Sequence, residues 1–424
     1  MSKPLPIVTA PGALQWDCQQ CGICCRGAIV SLNDADLKRL ASQNWQDHPD
    51  YAGRPVTARH GAGHRLAHRE DGCCVFLDAS GLCRIHAEHG YEAKPTMCRM
   101  FPLQLVPHQH EAILTLRCAC PTAAVNHGTP LDEQRDHVRR LAQRGELPLT
   151  PVDTLRLKSG ETRSWDGVQP ILDALASSLT NPNMPLVRRL VVALQLANRI
   201  ERANTARMDD DELRKCVPAW LEESQHAANQ HFADRKRPGA GARALFRLIA
   251  LDYLRLLPTH VTRESWGERL RLLRAATRMA WGGGSTPRLR CHLAPTKFSR
   301  LEEPLGPLPA EVSAPLSQLF ENTANSALYA VASRAGWTVI ESLRALAVSF
   351  PVGMWLLRWA HASATAEGGA TPRQELSQEL MLPIVVALDR GQGFAPLSGG
   401  QHRWRLWALQ QFEAIEPLAI WYAS

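Results

Sequence analysis

Ten of the chain's twelve cysteines lie between Cys18 and Cys120, and four of them fall within CQQCGICC at 18–25. This thiol density constrains the fold more than any other feature. The sulfur must be paired as disulfides, bound to metal or crowded by accident. Only Cys216 and Cys291 lie beyond, singly, as small buried hydrophobes do. Eight of the sixteen histidines also precede residue 126. That break predicts a cysteine-rich metal-binding module at 1–125 and a helical unit at 126–424, with a subdivision near the turn-rich WGGGSTPRLRCHLAP of 281–295.

Compartment narrows the choice. MSKPLPIVTAPGALQWDC has no apolar run of roughly 7–15 residues behind positive charge, so it does not read as a secretory signal. No stretch reaches the roughly 18 uninterrupted apolar residues of a membrane span. The nearest, ALAVSFPVGMWLL (345–357), is interrupted by Pro351 and reads as a buried helix. A cytoplasmic chain is expected, where thiols stay reduced and disulfides are disfavoured. With 45% hydrophobic and 21% charged residues the chain can bury a large core. The net charge of +7 comes from 48 basic against 41 acidic residues, a thin excess without a basic stripe interleaved with aromatics. Neither a nucleic-acid nor a membrane partner is expected from it, and oligomeric state is not legible.

The fold class reads as mainly α, a loop-rich cysteine module with short strands followed by a large helical region. SLNDADLKRLASQ (31–43) predicts a short helix capped by Asn33, with Asp36 in its first turn and Leu37 and Leu40 on one face. HRLAHRE (64–70) and ILTLRC (113–118) have strand character, and Pro95, Pro102, Pro107 and Pro121 punctuate loops. Apolar residues Leu186, Leu190, Val191 and Leu194 mark one face of a helix over 185–203. Further helices are predicted at 242–257, 263–281, 311–334, 337–349, 373–389 and 403–416. Strands and helices do not alternate, which disfavours a doubly wound sheet.

Closely spaced thiolates suit both tetrahedral zinc and iron–sulfur clusters. Cys18, Cys21 and Cys24 open a ferredoxin-type C-x2-C-x2-C run, but the nearest Cys-Pro to close it is Cys120-Pro121. Spacing alone leaves both metals open. CQQCGICC followed by CVFLDASGLCRIH and PTMCRMFP resembles the bacterial CxxCxxCC cysteine-cluster family of zinc- or iron-chelating domains, which includes the flagellin lysine N-methylases. The resemblance covers about 1–125. It places Cys18, Cys21, Cys24, Cys25, Cys74, Cys83 and Cys98 on the family pattern, with Cys120 as an eighth metal-binding cysteine. Cys73 and Cys118 read as local extras. Lys94 stands where arginine is more common, with little consequence expected. The resemblance implies a [4Fe–4S] cluster, with Zn2+ as the alternative, in two four-sulfur sites or in one cluster with spare thiols. His86 is then a candidate donor to sulfur, Arg99 a ligand of nearby carbonyls and Phe101 a shield against water.

The chain runs on for about 300 residues past this module, which resembles the lysine N-methylase branch. That resemblance implies S-adenosylmethionine as methyl donor and a protein substrate modified on lysine. The alternative is a non-enzymatic metal-binding sensor or chelator. No donor pocket is legible, since GAGA (239–242) and GGG (282–284) read as loop or helix-entry glycine. Glu321, Tyr329 and Trp337 lie in the segments most like the enzymes, though packing explains them equally. His60, His64 and His68 recur every four residues, but Gly61 and Gly63 oppose a helix and all three read as solvated. Trp355, Trp359, Trp404, Trp407 and Trp421 read as mostly core residues.

Overall fold

The computed structural model describes residues 5–147, 149–260, 265–331, 336–367, 376–392, 397 and 399–423. Its strands are short: β1 (Ile7–Thr9), β2 (Ser31–Leu32), β3 (Thr57–His60), β4 (Gly63–Leu66), β5 (Leu103–Pro107), β6 (Ala112–Leu116), β7 (Thr154–Lys158) and β8 (Glu161–Ser164). One sheet has the order β1-β6-β5, with β1 parallel to β6 and β5 antiparallel to it. A second has the order β2-β4-β3, all antiparallel, and β7-β8 is a hairpin. The strand expected at 113–118 is β6, and HRLAHRE contributes its first residues to β4.

Helices dominate, as the fold class requires. The cysteine module carries α1 (Asp34–Ala41), α2 (Arg84–His89), α3 (Thr96–Met100), α4 (Pro121–Ala124) and α5 (Leu131–Gln143). Beyond it run α6 (Trp165–Leu179), α7 (Leu186–Arg202), α8 (Asp210–Asp234), α9 (Ala240–Leu254), α10 (Trp266–Trp281) and α11 (Phe298–Leu301). Then come α12 (Ala310–Asn325), α13 (Leu328–Val331), α14 (Val339–Glu367), α15 (Gln378–Gly391), α16 (Gly400–Gln411) and α17 (Ile415–Tyr422). In α1 the Asn33 side chain accepts from the Asp36 N–H at 2.8 Å and Asp36 returns the bond to the Asn33 N–H, a reciprocal cap. Gly282 ends α10 at φ 67°, where an added Cβ would stand 2.3 Å from the Arg247 guanidinium. Gly239 caps the start of α9, so both glycine runs serve helix ends.

Several boundaries differ from those read in the sequence. The helix expected at 337–349 runs to Glu367, straight through Pro351. It is apolar on all sides and packs against α7, α9, α15 and α17, so burial outweighs the backbone bond that proline removes. This is the one helix among the described residues long and apolar enough to cross a membrane by composition, and 89% of that stretch is buried inside the protein. The helix expected over 311–334 ends at Asn325, where Ala327 adopts φ 51° before α13 begins. Leu289 and Leu293, from the turn-rich 281–295 stretch, pack into the same apolar cluster as the helices on either side.

Candidate metal centre

Backbone pairing zips the cysteine loops together. The Cys74 N–H donates to the Cys25 carbonyl at 2.7 Å, Gly27 N–H to Gly72 O at 3.0 Å and Arg84 N–H to Phe76 O at 2.9 Å. Isolated bridges join Arg26 to Cys73, His68 to Cys74 and Leu77 to Cys83. Gly22, at φ 69°, lets the first loop lie against the third, because a Cβ there would meet the Gly81 carbonyl oxygen at 2.9 Å.

Cys98 rides on α3, and a buried polar network fixes α3 to α1. The Asp36 carboxylate accepts from the Thr96 N–H at 2.9 Å, from its hydroxyl at 3.0 Å and from Arg39 at 2.6 Å. Arg99, 1% exposed, donates to the Lys94 carbonyl at 3.1 Å and to the Glu92 carboxylate at 2.9 Å, and also pairs with Glu146. Burial alone would raise the Glu146 carboxyl, but the bond and charge from Arg99 hold it below its ordinary value. The carbonyl-binding role expected of Arg99 is therefore present, together with two carboxylates that the sequence did not suggest. Phe101 is partly buried against the β1-β6-β5 cluster.

All twelve cysteines are free thiols. Cys24 and Cys25 place their sulfurs 3.9 Å apart, and that contact, with burial, pushes the Cys24 thiol far above its ordinary range. Burial, with smaller contributions from charge on Cys83 and Cys24, pushes the Cys74 thiol up to about 12. Cys98 is raised by burial and then opposed by Cys74, Cys83 and Cys24. Cys74 and Cys98 thus each stand in the fields of Cys83 and Cys24. A second group forms a rim: burial raises Cys120, with Cys21 adding to it, and Tyr91, pushed up to about 12 by burial, feels Cys18 and Cys98.

Two cations oppose this trend. Lys94 and Arg390 both favour the Cys24 thiolate, and Lys94 also favours that of Cys98. Lys94 lies 5.4 Å from the Tyr91 ring centroid, so the lysine in the arginine position keeps a positive charge beside the thiols. Among the described residues no three Cys, His, Asp or Glu side chains close on one point as a metal-ligating group. The donor chemistry still fits a soft cation. Crowded, buried thiols stay neutral until a positive charge offsets burial and mutual repulsion, and thiolates are the ligands zinc and iron–sulfur clusters take.

The helical region reaches into this module at two adjacent residues. Asp389, 2% exposed, accepts from Arg117 Nε at 2.8 Å and from the Ala119 N–H at 2.9 Å, while Arg117 also donates to the Asp389 carbonyl at 2.6 Å. Arg390 donates to the Ile23 carbonyl at 2.8 Å, inside CQQCGICC, and burial holds its pKa down to about 10. Between these contacts Cys118, 0% exposed, joins the helical core, with Asn322 donating to the Leu116 carbonyl at 3.1 Å and standing 3.7 Å from the Cys118 sulfur. Cys73 receives Arg26 at 3.7 Å. Asp389 and Arg390 were missed in the sequence. Their signal is a charged pair ending the otherwise apolar LPIVVAL run of α15.

Other expectations need correction or sharper placement. His68 is not solvated: its Nε2 lies 2.9 Å from the Ala28 carbonyl and burial lowers its pKa, because the bridge to Cys74 draws the ring under the first loop. His60 and His64 lie in the β3–β4 hairpin, where His64 faces Arg59. His86 is exposed, with its ring 5.9 Å from that of Tyr91. Glu321 is held by Arg189 at 2.7 Å, Tyr329 is buried with its phenol raised by burial, and Trp337 stacks on His402 with centroids 6.2 Å apart. Trp355 and Trp359 are core residues, but Trp404 and Trp407, on α16, are each 58% exposed, and Trp421, on α17, is half-buried with Arg237 over its ring.

A stretch of 91 residues is 38% identical to an uncharacterized protein of Methanocaldococcus jannaschii, covering 21% of this chain and 29% of that protein. The chain therefore spans under a third of that relative's length. No solved structure matches the chain. Residues 17–121, from Asp17 to Pro121 and so including all ten clustered cysteines, match the model of the CxxCxxCC family, described as "Putative zinc- or iron-chelating domain".

Proposed function

We propose that the 17–121 segment binds iron as a [4Fe–4S] cluster, with Cys24, Cys74, Cys83 and Cys98 as its ligands and Zn2+ as the alternative occupant. The observation that carries this reading is the gathering of separate cysteine loops, with Cys74 N–H on the Cys25 carbonyl and Leu77 bridged to Cys83, around Cys74 and Cys98, whose thiols are raised by burial and by charge on Cys83 and Cys24. Cys25 lies beside Cys24, and Cys18, Cys21 and Cys120 complete the eight as the rim. Iron, zinc and acid-labile sulfide measured on protein purified without oxygen test the assignment. About four irons and four sulfides per chain are expected. Stoichiometric zinc without sulfide would overturn the iron–sulfur reading, and protein without either metal would overturn both.

The finer reading is protein-lysine N-methylation. A neutral lysine amine would attack the methyl carbon of S-adenosylmethionine in line, its N–C bond forming as the S–C bond breaks, so that S-adenosylhomocysteine leaves and the methylated amine loses a proton. Its support is the resemblance to the lysine N-methylases and the length of the helical region. Glu321 and Tyr329 do not serve it, the first engaged by Arg189 and the second buried. Calorimetry with S-adenosylmethionine separates this activity from a metal-binding sensor or chelator: micromolar binding favours the enzyme, and no heat favours the sensor.

A further inference from the structure

One face of α10 is apolar, basic at its edges and uncovered. Trp266 and Trp281 are each 83% exposed, with Leu270 at 48% and Leu273 at 62%. At about 100° per residue these four side chains fall within an arc of about 80°. The opposite side of the helix buries Glu268, Ala275 and Met279 against the rest of the protein, where α9 is its main neighbour. The stripe is therefore the outer face of a docked helix.

Arginines border the stripe on both sides. Arg269 lies along one edge, its guanidinium 5.6 Å from the Trp266 ring centroid, and Arg274 and Arg278 lie along the other. All three are exposed, and among the described residues none of them forms an ion pair. The helix has a single acidic residue, Glu268, which is buried and neutralised by Arg271 at 2.6 Å and Arg290 at 3.4 Å. The face is thus positive without an internal counter-charge.

We propose that α10 docks the protein onto an anionic lipid surface. Indoles at both ends of an apolar strip, with arginines along its sides, match a helix lying in the plane of a membrane interface. At 16 residues, or about 24 Å, α10 is too short to cross a hydrocarbon core of about 30 Å, and its buried face is already occupied. The occupant is anionic because Arg269 and Arg274 border the strip, with Arg278 beside it donating to the Ser285 carbonyl at 2.7 Å, and among the described residues no exposed carboxylate lies on this helix. This surface escaped the composition-level expectation of no membrane partner, since a net charge of +7 spread over the chain hides a local cluster.

The test is co-sedimentation of the full chain with vesicles of phosphatidylglycerol and phosphatidylcholine, against vesicles of phosphatidylcholine alone. Binding to the anionic vesicles that weakens at high salt is expected. Arg269→Ala with Arg274→Ala should lower partitioning about 25-fold, at roughly fivefold per arginine near an anionic surface. Trp266→Ala with Trp281→Ala should also weaken it. Trp404→Ala with Trp407→Ala, exposed tryptophans on a different helix, should leave it unchanged. Circular dichroism of each variant confirms that folding is retained. Equal binding to both vesicle types, no binding, or loss through the Trp404 and Trp407 pair alone would overturn the proposal. So would a self-associated chain that becomes monomeric on Trp266→Ala, which would assign the face to a second copy.

Discussion

Over the first 147 residues the apolar side chains are split mainly between two small clusters, one around Trp45 and Phe76 and one around Leu114 and Val138, whereas one large cluster runs through the helices from Leu155 to Tyr422, with a small one around Val192 and Ala228 beside it. The first region is held by loop-to-loop backbone bonds and buried polar networks. The second is held by interlocked apolar faces. A loop-rich region with little continuous core depends on whatever ties its loops, and bound metal is such a tie. The helical region has no such need. The comparison therefore predicts that the two regions respond to different insults.

Metal removal should have the largest effect, on one side only. Chelation should free on the order of 10 kcal/mol of binding energy from the module, so β2, β3 and β4 should lose hydrogen-exchange protection while α14 keeps it. Equal loss in both regions would break the distinction. The reciprocal perturbation is Trp359→Ala, which opens a cavity in the helical core and should cost about 3–5 kcal/mol in a urea titration while leaving metal content unchanged.

Asp389→Ala tests the joint between the regions. It removes the carboxylate that a partly buried arginine and a buried backbone N–H share, so about 2 kcal/mol should be lost, and hydrogen exchange should rise around both Arg117 and the end of α15. An effect confined to α15 would show that the joint carries no coupling. Acid gives the most gradual effect. His260 is buried, neither ring nitrogen has a hydrogen-bond partner among the described residues, and burial, followed by Arg255, holds its pKa down to about 4. The unfolded chain takes this proton near 6.5, so His260 costs no stability above that pH. Between about 6.5 and 4 stability should fall by about 1.4 kcal/mol per pH unit, a slope that His260→Gln should flatten.

Local features were legible where neighbours in sequence are neighbours in space. The Asn33 cap, the Leu40 face and the helices near 185–203 and 242–257 depend on periodicity and short-range bonds, and the structure has them. The helices α5, α6 and α8 were passed over: α5 and α8 are mostly polar outside one buried face, and α6 follows a hairpin that the reading had not placed. Pro351 misled because its cost is local while the packing that outweighs it is not. At the metal centre the cysteines declare themselves through spacing. Asp36, Glu146, Asp389 and Arg390 do not, since each reaches a partner at least 47 residues away along the chain, a pairing that motif spacing does not specify.

The Asp389 contact also imposes a timetable. Arg117 and Asp389 are 272 residues apart, and at roughly 5–20 residues per second a ribosome needs about 14 to 54 s to make the second after the first. Through that interval the nascent module has all ten of its cysteines but neither the acid that holds its LRCACP loop nor the arginine that reaches Ile23. Oxidants and stray metal ions meet the thiols at their least guarded moment. A chain stalled before residue 389 should label with a thiol reagent at Cys118, which the finished protein keeps at 0% exposure.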